Sequence, residues 1–129
     1  MDPNEALAEL LDLSSQIEDA AILGESGVVL ASSGGPERGE QLARIAAELL
    51  AAAGDVRPSG DVSRVEVSLG PNSVFVVSEG DRTAVATTVP EPTAGLVVYD
   101  LRTALRRLDD EPVGKPPGRT KRKKGAADA

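Results

Sequence analysis

Of the side chains that do chemistry, this sequence offers carboxylates, guanidinium groups and a few amines. It contains no histidine and no cysteine, which removes the commonest general base, the commonest zinc ligand and all thiolate or disulfide chemistry. Glu18 and Asp19 are neighbours, but adjacent residues of a strand face opposite ways, so they cannot share a proton as a catalytic dyad. Asp109-Asp110-Glu111 is an acidic cluster that reads as a solvated helix end rather than a cation site. Arg38, Arg44, Arg57, Arg82 and Arg102 are all eligible to reach a partner's phosphates. The sequence ranks none of them, and each reads first as a surface charge. The phosphate-cradling pattern GxxxxGK[ST] is missing, since Gly114-Lys115 runs into Pro116, and no GxGxxG follows a strand. The chain is therefore expected to be neither an enzyme nor a nucleotide or metal binder, and to carry no cofactor.

Composition says what such a chain can do instead. The 129 residues suit one domain. Hydrophobic residues make up 40% but aromatics only 2%, so the core is built from Leu, Val, Ile and Ala, with few rings to stack a base. Residues up to Leu108 hold eight basic and 17 acidic side chains, a net charge of −9; from Asp109 onward six basic and four acidic residues leave +2. An acidic body argues against nucleic acid as its partner. Asp2 and Glu5 stand where a signal peptide would be basic, and no apolar run is long enough to cross a bilayer, so a soluble, cytoplasmic protein is expected. The expected division is a folded domain over residues 1–110 and a disordered basic tail over 111–129. Within that tail Lys121, Arg122, Lys123 and Lys124 have three readings: a solvated segment, contact with an anionic surface (nucleic acid or membrane headgroups), or folding back on the acidic body.

The elements follow from pattern. Asp2, Pro3 and Glu5 start a helix with a capping box, and Leu7, Leu10, Leu11 and Ser14 give it one stripe. Ile17–Leu23 and Val28–Ser32 flank Gly24-Glu25-Ser26-Gly27 as a hairpin. A second helix is expected over about Pro36–Ala53, ended by Gly54. Val62–Leu69 alternates, with Val65, Val67 and Leu69 on one face and Arg64, Glu66 and Ser68 on the other. Ser73–Glu79 is apolar on both faces, and Thr83–Val89 completes a meander whose Ala84 and Ala86 leave room for a close helix. Glu91-Pro92-Thr93 opens the last helix, Pro112 stops it, and Arg102, Arg106 and Arg107 near its end suit the macrodipole. The order α-β-β-α-β-β-β-α with short links predicts an α+β domain, an antiparallel sheet covered by helices on both faces.

The second helix is the most informative. Leu42, Ile45, Ala46, Leu49 and Ala53 form one apolar stripe; Ala43, Ala47 and Leu50 form a second beside it. A helix apolar over so much of its girth needs cover on two sides, the sheet and a partner. The competing reading is that alanine is abundant because it favours helix.

This order, carried on Ile17-Glu18-Asp19-Ala20-Ala21-Ile22-Leu23, Glu25-Ser26-Gly27-Val28-Val29-Leu30-Ala31-Ser32, Leu42-Ala43 to Ala53, Ser73-Val74-Phe75-Val76-Val77 and Pro90-Glu91-Pro92-Thr93-Ala94-Gly95-Leu96, resembles the roadblock / dynein light chain family in its bacterial form. The resemblance spans about Pro3 to Leu108. It implies a five-stranded antiparallel sheet of profilin-like fold, with the middle helix on one face and the terminal helices on the other. It also implies a homodimer through the third strand and the middle helix, in which Ala43, Ala47, Leu50, Arg64 and Glu66 would lie at the join, the two opposite charges facing each other across paired strands. Family members typically bind small Ras-like GTPases or serve as scaffold subunits of signalling or motor complexes. The implied role is thus a non-enzymatic adaptor that binds a Ras-like GTPase, the alternative being a scaffold without one.

Overall fold

The computed structural model describes residues 1–56 and 63–109. Helix α1 (Pro3–Leu13) begins as the sequence predicts: the Asp2 carboxylate accepts from the Glu5 backbone N–H at 2.9 Å, and the Glu5 carboxylate accepts from the Asp2 N–H at 3.2 Å. Strands β1 (Ile17–Leu23) and β2 (Val29–Ser32) form the expected hairpin. A single 3-10 turn, Glu25–Gly27, joins them, with Ser26 and Gly27 both at positive φ. Helix α2 (Gly35–Val56) then crosses the sheet, and β3 (Arg64–Leu69), β4 (Asn72–Glu79) and β5 (Arg82–Thr88) form the meander before helix α3 (Ala94–Asp109).

All strand pairs are antiparallel, in the spatial order β2-β1-β5-β4-β3. The hairpin and the meander thus join through β1 and β5, and β2 and β3 are left at the edges. Each side of the sheet has its own core. On one, Ile22, Phe75, Val77, Ala84 and Ala86 meet α1 and α3 through Leu7, Leu10, Val97, Leu101 and Leu105. On the other, Ala21, Leu23, Val74, Val76 and Val85 meet Leu42 and Ala46 of α2. The period-2 alternation of β4 supplies both cores at once, which is why that strand reads as apolar throughout. The two small residues on β5 face α3, and both are fully buried.

Two boundaries differ from the sequence reading. Gly54 does not end α2, which continues to Val56. A glycine inside a helix costs only about 1 kcal/mol relative to alanine, and the preceding Ala51-Ala52-Ala53 run carries the helix through it. Glu91 does not open α3: its φ of +57° is not helical, and its N–H donates to the Pro71 carbonyl at 2.8 Å. The helix starts behind Thr93, whose carbonyl accepts from Leu96 and Val97. The arginines of α3 do more than complement its dipole. Arg102 and Arg106 hold Glu79 at the end of β4, at 2.9 and 3.1 Å, and Arg107 pairs with Glu9 of α1. Pro112 and the tail expected over 111–129 lie outside the described residues.

The seating of α2 depends on one glycine. Gly39 is buried against β2, where an added Cβ would lie 2.7 Å from both Cβ and Oγ of Ser32. Absence of a side chain there lets the first turns of α2 approach the hairpin.

Candidate interaction surface

On α2, the second apolar stripe lies at the margin of the core rather than wholly away from it. Leu42 and Ala46 are buried, Ala43 and Leu50 are half-buried at the margin, and Ala47 is exposed. Ala43, Ala47 and Leu50 come together along one wall of an open groove of about 330 Å³. Leu23 and Ala46 help to form its apolar floor, and the tips of the β1–β2 and β4–β5 turns form its far side, where Glu25 and Asp81 are exposed. An apolar floor with two carboxylates at the rim suits contact with a polypeptide. Among the described residues no group of three or more acidic side chains gathers to hold a metal.

Strand β3 bounds the same side of the sheet. Among the described residues it pairs with β4 alone, so the backbone groups of its outer edge are open. Val65 packs at the margin of the α2 core, whereas Leu69 is 60% exposed. Arg64 and Glu66 stand opposite Val77 and Phe75 in the ladder, which puts them on the α1/α3 side of the sheet. There α3 packs on β4 and β5, and both charges are exposed. The five residues expected at a dimer join therefore fall into two groups. Ala43, Ala47 and Leu50 are brought together on α2; Arg64 and Glu66 lie across the sheet from them, adjoining only the open edge. The basic run Lys121–Lys124 lies outside the described residues.

The structure ranks the arginines that the sequence leaves equal. Arg38 donates from Nε to Asp19 at 3.2 Å and from Nη1 to Gln41 at 3.1 Å. Arg82 contacts Asp81 at 3.8 Å, and Arg102 is held by Glu79. Arg57 lies outside the described residues. Arg44 is exposed on α2 between Ala43 and Ala47, and of the four described it is the one that no carboxylate engages. Among the described residues, Glu79 is the carboxylate held away from its ordinary value: hydrogen bonds from Arg102 first, then Arg106, keep its pKa below the usual range. Sequence reasoning missed this node because Glu79 and its partners are 23 and 27 residues apart. It also missed the turn tips that wall the groove.

A sequence model of the Roadblock/LC7 domain matches residues 3–88, two thirds of the chain. The chain belongs to the Roadblock/LC7 family. Similar solved structures agree with the fold. A Roadblock/LC7 domain from Streptomyces avermitilis superposes with a TM-score of 0.73 at 21% identity, over 84% of this chain and 96% of that one. The gliding protein MglB of Thermus thermophilus gives 0.65 at 19%, over 81% and 83%. A Loki profilin, solved in complex with rabbit actin, gives 0.56 at 12%, over 83% and 96%. The chain thus has the α+β, profilin-like roadblock fold, and its family is generally one of adaptors and regulators rather than enzymes. No curated protein matches the sequence. Among the described residues, no helix is long and apolar enough to cross a membrane.

Proposed function

We propose that this Roadblock/LC7 protein is a cytoplasmic, non-enzymatic homodimeric adaptor that binds and regulates a small Ras-like GTPase. The observation that carries the proposal is the open edge of β3, whose Val65 packs at the margin of the α2 core. Two copies related by a two-fold axis at Val65 would pair their β3 strands antiparallel, setting Arg64 of each copy opposite Glu66 of the other. The two sheets would become one, and the α2 helices would meet on the same side, Ala47 near the axis. Both needs of the single chain are met at once: an unpaired strand edge is covered, and the second stripe of α2 is buried. The GTPase partner rests on the family, whose members typically bind such proteins. Arg44, beside the stripe and free of any carboxylate among the described residues, is the guanidinium best placed to reach a partner.

The test is mass in solution. Wild type should run as a dimer, and Ala47→Glu, which places a carboxylate at the axis of an exposed position, should run as a folded monomer. An Ala47→Glu protein that stays dimeric would rule out the α2 contact.

A further inference from the structure

The second open edge of the sheet, β2, has a groove of its own. It runs along Val29–Ser32 between Asn4 in the first turn of α1 and Gly35, Pro36 and Glu40 at the start of α2. Its floor is apolar, and Leu30 is 37% exposed in it. Glu37 and Glu40 are exposed on α2, and Asp2 and Glu5 are exposed on α1. Among the described residues, the arginine at this edge, Arg38, is engaged by Asp19. Two helix N-termini point here, each equivalent to about half a positive charge, and the Met1 ammonium adds one more; four carboxylates still leave the edge acidic.

The last described turns of α3 come to the same corner. The Met1 ammonium donates to the Arg107 carbonyl at 3.4 Å, three residues from the Asn4 that lines the groove. The chain that continues from there carries Val113, Pro116 and Pro117, then Arg119, Lys121, Arg122, Lys123 and Lys124, with no acid between Pro112 and Ala127. At about 3.3 Å per residue, the dozen residues from 110 to 121 reach about 40 Å, ample to turn back onto β2.

We propose that residues 113–124 of the chain dock on its own β2 edge. Val113, Pro116 and Pro117 meet the apolar floor, and the basic run meets Glu37 and Glu40. Prolines lack the N–H that strand addition needs, so the contact is side chain on groove rather than a sixth strand. The occupant is chosen by complementary charge and by where α3 delivers it. Docking leaves β3 and the outer side of α2 open, so it is compatible with a dimer there and does not depend on the GTPase reading.

The absence of native cysteine makes the test clean. A nitroxide on Ala127→Cys in the full chain should broaden the amide resonances of residues 29–32 and 37–40 at low ionic strength. That broadening should be lost in about 1 M salt, where the Debye length falls to about 3 Å. It should also be lost in Glu37→Gln/Glu40→Gln, whose resolved amide spectrum would show that the fold persists. Unaffected amides at this edge, broadening centred on other acids, or broadening that survives the double substitution would each overturn the proposal. So would broadening seen only in an isotope-labelled chain mixed with a spin-labelled twin, since the tail would then be crossing between copies.

Discussion

Replacing Gly39 by alanine adds a methyl group where α2 presses on β2, and the distances set the consequence. The new Cβ would lie 2.7 Å from Cβ and Oγ of Ser32 and 3.3 Å from Cγ1 of Val29. Ser32 cannot swing clear: its Oγ donates to the Gly35 carbonyl at 2.8 Å, and its backbone is paired with Ala21 of β1. The helix or the hairpin must shift, and overpacking of this kind costs about 1–3 kcal/mol. Against that stands the helix preference of alanine over glycine, up to about 1 kcal/mol. Gly54 provides the control, because it lies in the same helix with nothing within 4 Å of its would-be Cβ. Gly54→Ala keeps the propensity gain without the clash, so the two variants should differ by about 1–3 kcal/mol, Gly39→Ala being the less stable. At about 4–8 °C per kcal/mol for a domain of this size, the separation in Tm is readily measured by circular dichroism at one fixed protein concentration. A Gly39→Ala protein as stable as Gly54→Ala would refute the close approach of α2 to β2.

Glu79→Gln should destabilise at pH 7 by about 1 kcal/mol or less, the scale of a partly exposed ion-pair network. Because the folded pKa of Glu79 is lowered by Arg102 and Arg106, its contribution is present above the unfolded carboxylate pKa and is lost as pH falls through the folded value. The gap between wild type and Glu79→Gln in urea unfolding should close in acid; a gap unchanged at low pH would contradict the assignment. Thr88 is fully buried, and its Oγ1 accepts from the Ser73 N–H at 2.9 Å. Thr88→Val should therefore cost about 1–3 kcal/mol by stranding that donor, and a neutral result in denaturant titration would mean the N–H finds another acceptor. Gly27→Ala, at φ +78° with open space around it, should cost about 1–2 kcal/mol from backbone strain alone, read as a lower Tm; an unchanged Tm would contradict the strain.

How far the sequence reaches depends on how local each cause is. The capping box at Asp2 and Glu5 is contained within four residues, and it forms as read. Period-2 alternation places Arg64 and Glu66 opposite Val65 on β3, because side-chain direction in a strand needs no tertiary information. The two stripes of α2 are legible by the same reasoning at helical period. Gly54 misleads because glycine stops a helix only where the chain then turns into a left-handed cap, and residue type alone does not decide that turn. The groove behind Ala43, Ala47 and Leu50 is illegible for a different reason: its walls come from turns at Glu25 and Asp81, brought beside α2 only by the β1–β5 pairing. The role of Gly39 depends likewise on the crossing of α2 over β2.

Whether this chain serves a Ras-like GTPase is decided most sharply with the full chain as bait in native-host lysate, GTP analogue or GDP being added. An adaptor of that kind should recover a small P-loop GTPase favoured by one nucleotide, and Arg44→Ala should recover less of it. Recovery of a kinase or other large protein with no GTPase under either nucleotide would contradict the GTPase role and leave a scaffold in its place.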